Sequence, residues 1–204
     1  MRILGILGGV ASGKSFVART LVGWGGVWLN ADQAGHQVLR QPDIRDQLVA
    51  RWGKSIIDET GEISRSAVAA IVFGDTPTAP QELKWLESVS HPRIRQLLES
   101  QLSELRRQNV PLAILDAPVM LKSGWDALCD FILFVDCPRE IRLQRALTRP
   151  GWTEAQFAAR EAAQEPLEVK KSRADFSLDN SGTAEYTEQQ LRKLWTDWTG
   201  FAPL

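Results

Sequence analysis

The sequence predicts an α/β protein in three layers, with helices on both faces of a mostly parallel, five-stranded sheet. Three observations predict it. Short apolar runs recur at Arg2–Leu7, Val27–Leu29, Leu112–Leu115, Phe131–Val135 and, more weakly, Phe176–Leu178. Runs of this kind read as strands buried on both faces, as parallel strands are. Helical periodicity lies between them, which is the alternation of βαβ units. The chain of 204 residues, 44% hydrophobic and 24% charged, is long enough for a sizeable core and too apolar for disorder.

The first run stops at Gly8 and Gly9. Its apolar part, Ile3–Leu7, is too short for a membrane span or the core of a signal peptide, and Lys14 follows closely. It reads as a buried strand, and a cytoplasmic protein is expected. Lys14–Trp24 carries Val17, Ala18, Leu21 and Val22 at helical spacing. The third strand ends at Asp116 and Pro118, the fourth at Asp136 and Pro138, the fifth at Asp179 and Asn180. The last helix, Glu185–Trp198, sets Leu191, Leu194, Trp195 and Trp198 at core spacing, so its tryptophans pack the sheet. Residues of about 34–109 and 139–173 hold helical patterns and no convincing strand. Insertions into an open α/β sheet usually sit at the carboxyl ends of the strands, where ligands bind.

The 24 Lys plus Arg nearly cancel the 25 Asp plus Glu, for a net charge of −1. A duplex-coating nucleic-acid binder or a polybasic membrane anchor would show a basic excess, so neither partner is expected. Cys129 and Cys137 are too few for a disulfide framework and have no metal-type spacing, so both read as small core residues.

The segment Gly8, Gly9, Val10, Ala11, Ser12, Gly13, Lys14, Ser15 matches GxxxxGK[ST], with a strand before it and a helix after it. Each residue type has a task. The glycines let the backbone curl its N–H groups toward phosphate oxygens, and the helix N-terminus adds a field that favours an anion. Lys14 reaches the β- and γ-phosphates, and the Ser15 hydroxyl ligates Mg²⁺. The expected class is therefore a P-loop NTPase fold that uses ATP and Mg²⁺. Neither a guanine-reading NKxD nor an LSGGQ-like signature occurs in the sequence. The short chain favours a small-molecule kinase, which needs a mobile, arginine-bearing lid to exclude water.

Asp32 follows the second strand. It is placed to take the proton of an acceptor hydroxyl, to hold Mg²⁺ through water, or to cap the helix that begins there. Asp116 ends the third strand, as either an Mg²⁺ ligand or a strand–turn carboxylate.

These motifs resemble one family, the dephospho-CoA kinases, over nearly the whole chain. The loop Gly8–Ser15 falls where that family has GGIGSGKS, and Asn30-Ala31-Asp32 where it has Asp-Ala-Asp. His91-Pro92 resembles its His-Pro signature, expected to open a long helix. Asp116-Ala117-Pro118 through Lys122 resembles its Asp-x-Pro strand end. Arg142, Arg145 and Arg149 resemble its lid arginines. The stretches Ala163–Lys171 and Ala174–Asn180 resemble the motifs that close the lid and enter the last strand.

The resemblance implies transfer of the ATP γ-phosphoryl to the ribose 3′-hydroxyl of dephospho-CoA, giving coenzyme A. It implies one P-loop kinase unit: a core of about 1–33, 110–138 and 174–204, a helical CoA-binding insertion of about 34–109, and a helical lid of about 139–173. Lys14, Asp32, Arg145 and Arg149 would be catalytic, with Asp32 the base. The loop residues with Phe16 and Asn180 would hold the nucleotide. Asp32, His91, Pro118 and Arg142 would meet the acceptor, and Ser15 and Asp116 the metal. The oligomeric state stays open between monomer and weak homo-oligomer. Spacing of i, i+3 and i+7 would set Arg142, Arg145 and Arg149 on one helix face, where an anion would relieve their repulsion.

Four positions depart from the family pattern: Asn30 for the first Asp, Lys122 for an acid, Leu7 for a Thr and Ala11 for a Gly. They leave room for a kinase of the same fold with another acceptor, such as a nucleoside monophosphate, or for a nucleotide-binding module without turnover. Residues 139–173 hold eight Lys or Arg against five Glu, a local excess of +3 inside a balanced chain.

Overall fold

The structure, a computed structural model, describes residues 1–200 and 202–203. Five strands form one sheet: β1 (Arg2–Gly8), β2 (Val27–Asn30), β3 (Leu112–Asp116), β4 (Phe131–Asp136) and β5 (Phe176–Asp179). Their order is β2-β3-β1-β4-β5 and every pairing is parallel. β1 is central, so all of it after Arg2 is buried, and β3 is buried throughout. That is why both read as unbroken apolar runs rather than alternating ones.

The core lies between the sheet and two helices, α1 (Lys14–Gly23) and, at the C-terminal end, α9 (Ala184–Thr199). Val17, Ala18 and Leu21 of α1 and Leu191, Trp195 and Trp198 of α9 meet Leu4, Ile6, Leu133, Val135 and Leu178 from the strands. Trp195 meets Trp24 edge-on at 5.9 Å, and Trp198 stacks on Phe131 at 5.0 Å. The tryptophans thus pack the sheet, as their spacing predicts. α9 starts where the Thr183 hydroxyl accepts the Tyr186 N–H at 3.3 Å, and stops at Gly200, which has φ +75.

By its contacts the chain divides into two compact units, one of residues 1–30 with 101 onward, the other of residues 31–100. The second holds α2 (Ala31–Leu39), α3 (Pro42–Trp52), α4 (Arg65–Val72) and most of α5 (Ala79–Arg107). Among the described residues it contains no strand, only an isolated antiparallel bridge between Ile57 and Ile63. β2 passes directly into α2 at one boundary, and α5 runs unbroken across the other.

One expectation is corrected. His91-Pro92 does not open a helix; both residues lie inside the 29-residue α5. The good helix formers Arg93, Arg95, Gln96 and Leu97 follow Pro92, and the helix continues through a residue that lacks an N–H. In the turn before it, the Ser88 and Ser90 hydroxyls donate to the Trp85 and Leu86 carbonyls, each at 2.7 Å.

Between β4 and β5 lie α6 (Arg139–Leu147), α7 (Glu154–Ala162) and α8 (Leu167–Ser172). Trp195 is among the largest fully buried side chains. Trp195→Ala should therefore cost about 3–5 kcal/mol, read as a lower denaturant midpoint in urea unfolding.

Candidate active site

The phosphate loop joins β1 to α1. Gly8 (φ +156), Ala11 (φ +58) and Gly13 (φ +97) turn the backbone. Ala11 adopts the left-handed conformation although it carries a Cβ, at a cost of about 1 kcal/mol. The first turn of α1 holds no acidic residue and no side chain caps it, so its positive end remains for an anion.

The loop carbonyls are held by three side chains. Lys14 Nζ donates to Gly9 O at 3.0 Å and Gly8 O at 3.3 Å. Arg142, 3% exposed, reaches over from α6. Its Nη1 donates to Val10 O at 3.3 Å and to Glu161 Oε1 at 2.6 Å, and its Nε to Cys137 O at 3.0 Å. Asn180, just after β5, donates Nδ2 to Ser12 O at 2.7 Å and accepts the Thr187 hydroxyl at 2.8 Å. These contacts explain two glycines. A Cβ on Gly9 would lie 2.8 Å from the Arg142 guanidinium, and one on Gly13 would overlap the Asn180 amide.

Three residues expected at ligand contacts, Arg142, Asn180 and Phe16, are bonded or packed within the protein in this arrangement. Arg142 was expected to meet the acceptor, yet its guanidinium is buried on Val10, Cys137 and Glu161. Asn180 was expected to touch nucleotide, yet both ends of its amide are bonded within the protein. Phe16 packs its partly buried ring against the hydrophobic core and donates its N–H to Gly13 O at 2.9 Å. The arginines do not share one helix face. α6 ends at Leu147, and Arg149 lies beyond it, exposed, with its guanidinium 5.1 Å from the Trp152 ring. Arg160 lies over the same ring at 4.5 Å. Arg145 stands beside the loop, 3.7 Å from where a Gly13 Cβ would be, and donates to Cys137 Sγ at 3.4 Å.

Asp116 is the buried last residue of β3, in register with Ile6 of β1 and Asn30 of β2. Pro118 follows in the turn after it, and Lys122 is exposed. Ser15 is the exposed second residue of α1. Asp32 is the exposed second residue of α2, inside the first turn rather than flanking it. His91 is half-buried inside α5. Among the described residues no three His, Cys, Asp or Glu side chains cluster as a metal cage.

Both cysteines are free. Burial pushes the Cys129 thiol up to about 12, helped by Asp126 and Asp130. Burial also raises Cys137, although Arg145 and Arg142 pull the other way. Raised thiols are poor nucleophiles, in keeping with core residues.

Three residues escaped the sequence reading: Glu161, which neutralises Arg142; Trp152, which seats two arginines; and Lys170, which is 2% exposed. Only Lys170 left a signal, as a member of the Ala163–Lys171 motif.

A phosphate loop between the first strand and first helix of a β2-β3-β1-β4-β5 parallel sheet, backed by arginine-bearing helices, defines a P-loop kinase. The family model for dephospho-CoA kinase matches residues 2–185. A dephospho-CoA kinase from Geobacter sulfurreducens is 36% identical over 196 residues, covering 96% of this chain and 98% of the relative. One from Geobacillus kaustophilus is 36% identical, covering 96% of each. The crystal structure of TT1252 from Thermus thermophilus superposes with a TM-score of 0.81 at 35% identity, over 98% of both chains. Dephospho-CoA kinase from Campylobacter jejuni, at 21% identity, shares the fold with a TM-score of 0.67 over 98% of both. The chain belongs to the dephospho-CoA kinase family, whose reaction is the last step of coenzyme A synthesis.

Glu161→Gln leaves the buried Arg142 guanidinium without its carboxylate. It should destabilise the protein by about 2 kcal/mol, since the pair is buried on one side only, and lower the melting temperature in a thermal scan.

Proposed function

We propose that this chain transfers the γ-phosphoryl of ATP to the 3′-hydroxyl of dephospho-CoA, with Mg²⁺ as the metal. The observation that carries the reading is the uncapped, acid-free N-terminus of α1 behind a glycine loop, in a chain of this family. An anion bound there would meet the helix field and the Lys14 ammonium together.

Phosphoryl transfer needs positioning and charge stabilisation more than covalent chemistry. Lys14 now rests on Gly8 and Gly9 carbonyls. It would exchange these acceptors for phosphate oxygens with little movement of its stem. The Ser15 hydroxyl and Asp116 carboxylate are hard oxygen donors, the type Mg²⁺ prefers, and would hold it. Bound there, the ion would neutralise charge on the β- and γ-phosphate oxygens. Asp32, exposed and ionisable, would take the acceptor hydroxyl proton. Arg145, beside Gly13, and Arg149, held on Trp152, would offset charge on the moving phosphoryl. His91 and Pro118 would serve the acceptor. Asn30 and Lys122 would tune acceptor affinity without touching Lys14, Ser15 or Asp32.

Among the described residues no helix is long and apolar enough to cross a membrane. We place the activity in the cytoplasm, with no nucleic-acid or membrane partner, in a monomer or weak homo-oligomer.

A panel of acceptors tests the reaction. Mg²⁺-ATP with dephospho-CoA should release ADP with a higher kcat/KM than with any nucleoside monophosphate. No acceptor-dependent ADP release at millimolar dephospho-CoA would sink the proposal. Lys14→Ala should impair both ATP affinity and turnover. Asp32→Asn should spare ATP binding and lower kcat by about 10² or more. Arg149→Ala should lower kcat more than it raises the KM for ATP.

A further inference from the structure

Arg149 and Arg160 lie over one indole, that of Trp152, with their guanidinium carbons 5.1 and 4.5 Å from its centre. Both arginines are exposed. Among the described residues neither has a carboxylate within ion-pair distance. Glu161, the acid next to Arg160 in sequence, is shared by Arg139 and Arg142. A single ring thus bounds the separation of two like charges, and no acid answers either.

The sequence fixes where that ring stands. Trp152 closes a tight turn by donating its N–H to Arg149 O at 3.2 Å. Pro150 and Gly151 (φ +75) lie at the centre of the turn, the residue types such a turn favours. Thr153 then caps α7: its hydroxyl accepts the Gln156 N–H at 3.2 Å, and its own N–H donates to Gln156 Oε1 at 3.1 Å. Trp152, just before that cap, and Phe157, a turn into the helix, belong to one apolar cluster, a pairing that fixes how a chain enters a helix. The same cluster contains Val10, with Ala11 packed against it. The indole and the phosphate loop therefore share one small core. The turn brings Arg149, and α7 brings Arg160, to a plate anchored on the loop.

An aromatic face holds a guanidinium without using up its N–H donors. Two such groups with no acid repel each other until an anion joins them. The anion for which the adjoining loop is shaped is a polyphosphate, and in transfer its charge spreads over the equatorial oxygens of the moving phosphoryl. We infer that Arg160 is a further catalytic residue: with Arg149 it donates to the oxygens of the moving phosphoryl, and Trp152 is the positioning residue that holds the pair. This rests on the reading of Gly8–Ser15 as the ATP site. No bond forms or breaks at Arg160, which keeps its proton; it supplies charge and hydrogen bonds.

Arg160→Ala should melt at the wild-type temperature, because the side chain is exposed, and should lower kcat about tenfold or more. Its Kd for Mg²⁺-ADP by calorimetry should barely change. Its Kd for ADP with aluminium fluoride, a mimic of the moving phosphoryl, should rise about as far as kcat falls. Arg160→Lys should recover part of the loss, since it keeps the charge without the planar fork. Wild-type kcat in Arg160→Ala overturns the inference. So does a lowered melting temperature with equal losses of affinity for ADP and for the mimic, which marks a structural role. Trp152→Leu should lower kcat as well, and Arg160→Ala added to it should cost less than it does alone; full additivity overturns the positioning role of Trp152. Should Arg160→Ala fail to fold, the wild type decides. An arginine-selective dicarbonyl should label Arg160 in the empty enzyme and spare it in the ADP–aluminium fluoride complex, and equal labelling overturns the inference. Wild type without acceptor-dependent ADP release fails the phosphate-loop reading itself; wild type that turns over, with Arg160→Ala turning over equally fast, fails only this inference.

Discussion

A loop that offers its amides to a phosphate must turn its carbonyls the other way, toward the protein. Those carbonyls need donors, since a buried, unpaired backbone oxygen costs free energy comparable to a lost hydrogen bond. This constraint organises the catalytic half of the chain. Val10 O is bonded by Arg142, Ser12 O by Asn180, and Gly8 O and Gly9 O by Lys14. The donors come from α6, from the turn after β5 and from α1. A loop of eight residues thus ties together segments more than 160 positions apart. Each donor needs its own support. Arg142 cannot be buried uncompensated, so Glu161 meets it, and α7 is bound to α6. Asn180 is oriented by Thr187, which anchors the loop to α9 as well.

The same accounting narrows the charge available for substrate. The segment 139–173 is basic by +3, but several of its cations are committed within the protein. Arg139 and Arg142 share Glu161, Lys171 pairs with Asp136, and Arg173 with Asp126. Arg145, Arg149, Arg160 and Lys170 have no carboxylate within ion-pair distance among the described residues. The positive field for an anion therefore comes from these four with Lys14 and the α1 terminus. Two of the four are held on an aromatic face, where a guanidinium keeps its charge and its donors while its stem loses freedom.

Much of this was legible in the residues. Strands buried on both faces leave continuous apolar runs, so β1, β3 and β4 could be read from Ile3–Leu7, Leu112–Leu115 and Phe131–Val135. The phosphate loop is local, and its glycines are needed for local reasons. What was illegible is which way a polar side chain faces. Asn180 and Arg142 carry the residue types of ligand contacts, and nothing in the sequence distinguishes bonding a ligand from bonding the loop that bonds the ligand. Glu161 was lost for the same reason, since a glutamate on an exposed helix pattern looks like solvated charge. The shared face of three arginines was a different failure. Pro150 and Gly151 announce that α6 has stopped, and helical periodicity carried past that signal places Arg149 wrongly. Pro92 shows the reverse. A proline is read as a helix start, but here the helix runs through it, with Arg93, Arg95, Gln96 and Leu97 beyond it as good helix formers.

The near-zero net charge is compatible with a site built for polyanions because the imbalance is local and tolerated in the empty state. Burying Arg142 and Lys170 opposes folding, and the sheet core of Leu4, Ile6, Val17, Leu133 and Trp195 has to outweigh it. A ligand that binds only the folded chain adds to its stability. Local rules are expected to fail at functional sites. Here two do so within one loop: an alanine in the left-handed region at Ala11 and a helix N-terminus without a side-chain cap at Gly13. The Ala11 conformation turns the loop backbone, and the uncapped α1 terminus favours an anion. Their coincidence locates the site more sharply than either would alone.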